Sequence, residues 1–227
     1  AQVRWGENGE LTDKIPISRG VRQGCVLAPT LFSLFLNRIS DHLFKCNHDC
    51  PTIGGLKTPI LLFADDSLLI SKTQTGLQNL INSFIDFCEL KGLELNSSKT
   101  KCMSFRGQRL RQFSYKAGKT ILDTVTGIDY LGIRIQNNLK WNEQIEKSVL
   151  IIKQRSGAIK RFHYSTKSRA VSPALEVYKA QTQSDALYGA ELWGNTDCQK
   201  LVVAENHFLK TLLGLPLSSP TIPVLWD

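Results

Sequence analysis

The chain has 227 residues, 42% of them hydrophobic, which suffices for one large domain or two small ones with a sizeable core. Lys and Arg number 28 against 20 Asp and Glu, a formal net charge of +8 that favours an anionic partner, of which nucleic acid is the commonest. No apolar run reaches the roughly 18–20 uncharged residues of a membrane span, and nothing resembles a signal peptide. The six cysteines (Cys25, Cys46, Cys50, Cys88, Cys102 and Cys198) are scattered, unlike a secreted disulfide framework, and read as reduced thiols of an intracellular protein. The first residue is Ala1, in mid-pattern, so part of a longer chain is expected.

ENGELTDKIPIS (7–18) carries the punctuation of a short hairpin with Asn8-Gly9 at its turn, and RGVRQGCVLAP (19–29) is a glycine-rich loop. From Pro29 onward, Leu31, Phe32, Phe35, Leu36, Ile39 and Leu43 recur every three or four residues, which predicts a helix of about 14 residues with a broad apolar face. Residues 46–59 read as a loop; Cys46, His48 and Cys50, with His42 nearby, have single-residue gaps that do not match zinc-ligand spacing. ILLF (60–63) and SLLIS (67–71) read as two strands of a hairpin whose turn carries Asp65 and Asp66. Thr75 opens an amphipathic helix with Leu77, Leu80, Ile81, Phe84, Phe87 and Cys88 on one face, ended by Gly92. CMSF (102–105) and DYLGIRIQ (129–136) look like further strands, so the expected class is α+β, an antiparallel sheet packed on helices. From Trp141 the pattern turns helical. Ile145, Val149, Ile152, Ile159 and Phe162 keep the period, seven Lys or Arg and no acid lie between Lys147 and Arg169, another helix follows Pro173, and a last one covers 199–213. A boundary near residue 140 divides 1–140 from 141–227.

LLFADDSLLI (61–70) sets two adjacent carboxylates inside an apolar run. Taking an unpaired carboxylate out of water costs several kcal/mol, so these charges must be neutralised, exposed or bound. Neighbouring side chains of a strand point to opposite faces, but at the tip of a tight hairpin two acids can converge. Converging carboxylates suit Mg²⁺, a hard ion that shares its shell with water and substrate phosphates. Two such ions about 3.5–4 Å apart can activate an attacking hydroxyl and stabilise a departing pyrophosphate. An Asp-rich turn accounts for the same dipeptide, and the dipeptide alone leaves both readings open.

The neighbouring motifs favour the metal reading. FADD (63–66) resembles the [YF]-x-D-D box of reverse transcriptases, and RGVRQGCVLAPTLFSLFLNRI (19–39) resembles the G-V-R-Q-G-x-x-L-S-P-x-L-F element of non-LTR (LINE-type) retrotransposon reverse transcriptases. GLELNSSKTKCMSF (92–105) resembles their G-L-x-[IL]-N-x-x-K-T-x-x-M-x-F segment, and DYLGIRIQNNLKW (129–141) their Y-L-G element. ALYGAELWG (186–194) and FLKTLLGLP (208–216) look like the region following the polymerase. The resemblance implies a partial palm over 1–140 and a helical thumb with the post-polymerase region over 141–227. It implies an RNA-directed DNA polymerase extending a primer 3′-hydroxyl on an RNA template with deoxynucleoside triphosphates. Mg²⁺, or Mn²⁺ in its place, would serve two-metal catalysis. The implied setting is a longer polyprotein without a membrane anchor, in nucleus and cytoplasm as a ribonucleoprotein.

Residue by residue, the resemblance makes Asp65 and Asp66 the paired metal ligands, with Phe63 where many relatives have Tyr. Arg22, Gln23 and Gly24 fall on the element that contacts template and incoming nucleotide. Lys99 falls on the lysine of N-x-x-K-T, where an ammonium can donate a proton to the leaving pyrophosphate or neutralise it; a solvated surface lysine is the competing reading. Tyr130, Leu131 and Gly132 match the primer-grip turn. Lys153, Arg155, Lys160, Arg161, Lys167 and Arg169 would follow the phosphates of a template–primer duplex. The family pattern also calls for a further carboxylate in an F-x-D-type element well before GVRQG; 19 residues precede Gly20, and Asp13 among them is too near. Weak polymerisation or none is therefore expected of these residues by themselves. The alternative is a catalytically inactive or co-opted RNA- or DNA-binding copy. A maturase-type relative shares the palm motifs but matches less well after Y-L-G.

Overall fold

The computed structural model describes residues 4–5, 10–11, 13, 20, 24–45, 49–105, 113–166 and 170–220. In chain order these form β1 (Arg4–Trp5), β2 (Glu10–Leu11), α1 (Ala28–Leu36), α2 (Arg38–Lys45), β3 (Thr52–Ile53), β4 (Leu56–Lys57), β5 (Ile60–Phe63), β6 (Asp66–Leu69) and α3 (Gln74–Lys91). Then follow β7 (Lys101–Cys102), β8 (Lys116–Ala117), β9 (Thr120–Ile121), β10 (Asp123–Thr124), β11 (Gly127–Tyr130) and β12 (Ile133–Gln136). The remainder is helical: α4 (Asn142–Ser165), α5 (Ser172–Val177), a π-helical segment (Tyr178–Gln183), α6 (Ser184–Ala186), α7 (Ala190–Trp193) and α8 (Gln199–Leu212). The α+β class holds. The antiparallel pairing is present in pieces: among the described residues the strands pair in twos, five ladders antiparallel and β7–β10 parallel. Apart from β7 and β10, each strand, two to four residues long, closes on the next one in the chain.

The chain divides into two compact units, Ala1–Thr100 with Phe113–Leu122, and Lys101–Gln112 with Asp123–Asp227. In the first, Ile39 and Leu43 of α2, Ile60 of β5, and Leu80, Phe84, Phe87 and Cys88 of α3 form the core, flanked by Leu69, Leu93 and Leu95. Each such apolar side chain is worth about 1.5–3 kcal/mol when buried. The predicted 14-residue helix is two, broken at Asn37, whose N–H reaches the Leu34 carbonyl three residues back (3.4 Å) and tightens the turn. Only its second half turns inward; Leu31, Leu34 and Phe35 remain exposed.

Helix α3 starts one residue before Thr75. Thr73, extended at φ −128° and ψ 158°, caps it by accepting from the Gly76 N–H at 3.1 Å. Gly92 ends it at φ 66°, with the Leu93 N–H on the Cys88 carbonyl at 2.8 Å. Gly76 has no room for a side chain: a Cβ there would lie 2.4 Å from Ser71 Oγ and 2.8 Å from Thr73 Oγ1.

In the second unit Ile145, Ile152 and Ile159 of α4 pack with Ala174, Tyr178, Ala186, Trp193, Leu201, Ala204, Phe208 and Leu212. Phe162, predicted on this face, is exposed, and Ser148, Ser156 and His163 are buried beside the isoleucines instead. Tyr178 stacks on Phe208 with ring centroids 4.3 Å apart, and its hydroxyl donates to Glu205 at 3.2 Å. The helix predicted after Pro173 forms, and it widens into the π-helical segment at Tyr178.

The cap at α3 yields a stability prediction. Gly76→Ala should push the Ser71 and Thr73 hydroxyls off their bonds and lower unfolding free energy by about 1–2 kcal/mol in urea titration. An unchanged midpoint would show that the cap is dispensable.

Candidate functional site

Antiparallel register decides where the paired acids go. Ile60 faces Leu69, Leu61 faces Leu68, Leu62 faces Ser67 and Phe63 faces Asp66. Directly opposed residues share a face and the faces alternate. Ile60 and Leu69 turn into the core of the first unit, so Phe63 and Asp66 come out on the opposite face with Leu61 and Leu68. The two-residue turn is Ala64-Asp65, so Asp66 opens β6 rather than lying in the turn as the sequence suggested. Ala64 holds φ at 50°, a left-handed conformation that costs a non-glycine residue on the order of 1–2 kcal/mol. Burial of Ile60 alone, at about 1.5–3 kcal/mol, offsets that strain. Both carboxylates are exposed, and neither has a hydrogen bond or ion pair among the described residues. Phe63 beside them is 62% exposed.

The donor set fits a hard divalent cation held by two carboxylates, with water and phosphate completing the shell. Among the described residues no group of three or more His, Cys, Asp or Glu converges. That also covers Cys50, which is buried; Cys46 and His48 lie outside the described residues, and the His42 ring packs tilted against Phe87 with centroids 5.6 Å apart.

Lys99 stands exposed on a turn built by Asn96, whose Oδ1 accepts from Ser98 Oγ (2.7 Å) and the Lys99 N–H (3.2 Å). The Asn96 carbonyl also accepts from Thr100 Oγ1 at 2.8 Å. The N, K and T of N-x-x-K-T are thus one Asx-type turn, a role for Asn96 and Thr100 that the sequence reading left unassigned. Gly24 is exposed at φ 79°, a conformation glycine adopts without steric cost. Arg22 and Gln23 lie outside the described residues.

DYLGIRIQ is a hairpin rather than one strand. β11 and β12 pair from Gly127↔Gln136 to Tyr130↔Ile133, and Leu131 (φ 47°) with Gly132 (φ 84°) makes a turn of the type I′ pattern. Tyr130 and Leu131 are half-buried and Gly132 is exposed. Side chains at the start of α4 hold this hairpin. Lys147 Nζ donates to Asp129 Oδ1 and to the Gly132 carbonyl, both at 2.9 Å. Arg134 pairs with Asp129 (3.1 Å) and Glu143 (2.7 Å), Gln136 Nε2 donates to Glu143 Oε1 (3.0 Å), and the Arg134 N–H donates to Gln144 Oε1 (2.8 Å). Gly127 leaves room for this cluster: a Cβ there would stand 2.9 Å from Arg134 Nη2. None of these partners was recognised from the sequence; the alternation of charge along Asp129, Arg134, Glu143 and Lys147 was the available signal.

On α4, Lys153, Lys160 and Arg161 lie within about a third of the helix circumference, Arg161 opposite the isoleucine stripe and Lys153 and Lys160 on its flank, about 100° from Ile152 and Ile159. Lys153 and Arg161 are exposed and Lys160 is half-buried. Arg155 is turned elsewhere: it pairs with Asp185 and donates to the Gln181 carbonyl of the π-helical segment. Lys167 and Arg169 lie outside the described residues.

Asp129 gives the hairpin a pH signature. Partial burial alone would push its carboxyl up, but the hydrogen bond and charge of Lys147, then those of Arg134, outweigh it and hold it below the ordinary 3.8. A carboxyl lowered on folding contributes stability above its unfolded value and loses it as pH falls. Asp129→Asn should lower the melting temperature at neutral pH, and the gap from the parent should close as pH drops from about 5 towards 3. A gap independent of pH would show that the pairs contribute nothing.

Residues 4–135 match the family described as reverse transcriptase (RNA-dependent DNA polymerase). The chain is 31% identical over 135 residues to the Pol polyprotein of retrotransposable element R2DM from Drosophila melanogaster, covering 56% of this chain and 13% of that protein. It is 38% identical over 100 residues to a Pol polyprotein of retrotransposable element R2 from Popillia japonica, covering 42% and 14%. It is 20% identical over 210 residues to the RNA-directed DNA polymerase of the mobile element jockey from Drosophila melanogaster, covering 88% and 22%. The chain therefore spans between 13% and 22% of the length of these relatives. It belongs to the reverse transcriptase family, on the branch of the non-LTR, LINE-type retrotransposons.

Proposed function

We propose that this chain is part of an RNA-directed DNA polymerase that extends a primer 3′-hydroxyl on an RNA template with deoxynucleoside triphosphates. Residues 1–140 are read as part of the palm and 141–227 as the thumb and the region after it. The observation that carries the reading is the β5–β6 hairpin, which turns Ile60 and Leu69 to the core and leaves Asp65 in the turn and Asp66 beside it exposed, with no partner among the described residues. Those two carboxylates would hold Mg²⁺, or Mn²⁺ in its place. Bound there, the ion supplies activation of the primer hydroxyl and charge compensation for the triphosphate. Phe63, on the face of Asp66, offers an apolar floor beside the acids. Lys99, exposed on its Asn96-built turn, is assigned to the leaving pyrophosphate. Arg22, Gln23 and Gly24 are assigned to template and nucleotide, and Tyr130, Leu131 and Gly132 to the primer end.

Lys153, Lys160 and Arg161 present positive charge to duplex phosphates, with Lys167 and Arg169 continuing the stretch in sequence. Arg155 carries the smaller share, because Asp185 already neutralises it. The family pattern calls for a further carboxylate in an F-x-D-type element, and we assign it to sequence outside these 227 residues.

In primer extension, the 227 residues by themselves should give no Mg²⁺-dependent product, and a longer polyprotein containing them should. In that longer chain Asp65→Asn should drop synthesis to background and Lys99→Ala should slow it by about a hundredfold. Robust synthesis by the short chain, abolished by Asp65→Asn, would overturn the assignment of a third ligand outside it. Hybrid binding is a separate matter. Lys153→Ala and Arg161→Ala should each reduce the slope of log affinity against log salt by about one, and Asp65→Asn should leave that slope unchanged. Equal slopes in all variants would remove α4 from the duplex interface.

A further inference from the structure

We propose that Tyr188 is a stacking platform for the 3′-terminal nucleotide of the primer strand, working with the Leu131–Gly132 turn and Lys147. The inference rests on the reading of that turn as the holder of the primer end. It begins from a contact that neither the turn's motif nor the charge pattern announces: Tyr188 Cε1 lies 3.2 Å, and Cδ1 3.7 Å, from where a Cβ on Gly132 would stand. The ring thus rests on the bare backbone of the turn, and any side chain at that position would displace it.

The backbone that carries the ring is held from several directions. Trp193, 1% exposed, donates its indole N–H to the Tyr188 carbonyl at 3.2 Å. The Leu187 N–H reaches the Gln183 carbonyl at 2.9 Å and the Ala190 N–H the Leu187 carbonyl at 3.0 Å. Gly189 adopts φ 69° and abuts Ile133 of β12, whose Cδ1 would lie 2.5 Å from a Cβ there. Two glycines therefore interlock the 187–189 turn with the β11–β12 hairpin, Gly132 under Tyr188 and Gly189 against Ile133. Despite this anchoring the ring is 55% exposed, and its hydroxyl has no partner among the described residues. The ring is fixed at its base and more than half exposed.

The open face specifies the ligand's chemistry. Lys147, its side chain 39% exposed, fixes the turn by donating to the Gly132 carbonyl and to Asp129 Oδ1, both at 2.9 Å. An exposed aromatic face suits a nucleobase, with tolerance of base identity because every base has a π-face. A nucleobase inside a duplex is stacked on both sides, whereas one at a strand end has a free face. That selects the terminal nucleotide over internal ones.

The test uses this chain with an RNA–DNA hybrid whose primer carries 2-aminopurine either at its 3′ end or five nucleotides inside, with anisotropy recording binding at several salt concentrations. Wild type should quench the terminal probe and leave the internal one unaffected. Tyr188→Phe should retain the quench. Tyr188→Ala should lose it and weaken binding of the recessed 3′ end by about tenfold. Tyr188→Leu keeps an apolar cover on Gly132 without a π-face and should behave as Ala does; quenching retained in the Leu variant would reduce Tyr188 to packing and overturn the proposal. Salt-dependent hybrid binding with a terminal probe indifferent to every Tyr188 variant would also overturn it, while leaving the duplex reading intact. No salt-dependent binding by the wild-type chain would overturn both.

Discussion

Antiparallel pairing permits only two faces, and at β5–β6 the core claims one of them. Once Ile60 and Leu69 are committed to the apolar cluster of α2 and α3, Phe63 and Asp66 have no choice but the other face. A one-residue slip would exchange the two sets and carry Ile60 out of the core at about 1.5–3 kcal/mol, comparable to the strain of about 1–2 kcal/mol in Ala64 at φ 50°. The acids are tolerated because the strands leave the core before the tip: Leu62, Phe63 and Ser67 are exposed along with Asp65 and Asp66.

The second unit fixes its hairpin by different means. There the partners are polar: Asp129, Arg134, Glu143 and Lys147 link β11–β12 to the first turns of α4. Single exposed ion pairs are worth about 0–1 kcal/mol, so no one of them explains the arrangement. Their geometry does more than their energy. Lys147 bonds a side chain and the turn carbonyl together, and Gly127 admits the cluster by having no Cβ. Such a network defines the orientation of a turn more narrowly than apolar contacts of the same strength, because hydrogen bonds are directional. The helical core beneath it, with Ile145, Ile152 and Ile159 seven residues apart, provides the bulk of the stability.

Much of this was legible in the sequence wherever periodicity and punctuation agreed. The α3 face of Leu80, Phe84, Phe87 and Cys88, its stop at Gly92, the hairpin around Asp65, and the helices after Trp141 and Pro173 all follow from spacing. The failures have local causes. DYLGIRIQ read as a strand from its residues, and the turn at Tyr130, Leu131 and Gly132 came only from the family resemblance; Leu131 at φ 47° is a conformation rare for a residue with a side chain. The helix after Pro29 broke at Asn37, where a three-residue hydrogen bond replaces the four-residue one. Arg155 looked like its basic neighbours, yet it donates to the Gln181 carbonyl of the π-helical segment and pairs with Asp185. Long-range partners of this kind have no signature in spacing along one helix.

The claim on which the rest turns is that the β5–β6 tip presents Asp65 and Asp66 to a divalent cation. Paramagnetic relaxation reads this without requiring catalysis. Mn²⁺ added to isotope-labelled protein in the presence of a deoxynucleoside triphosphate should broaden the backbone amides of residues 63–67 first, and excess Mg²⁺ should restore them. Broadening centred elsewhere on the chain, or at the tip but unaffected by Mg²⁺, would contradict it.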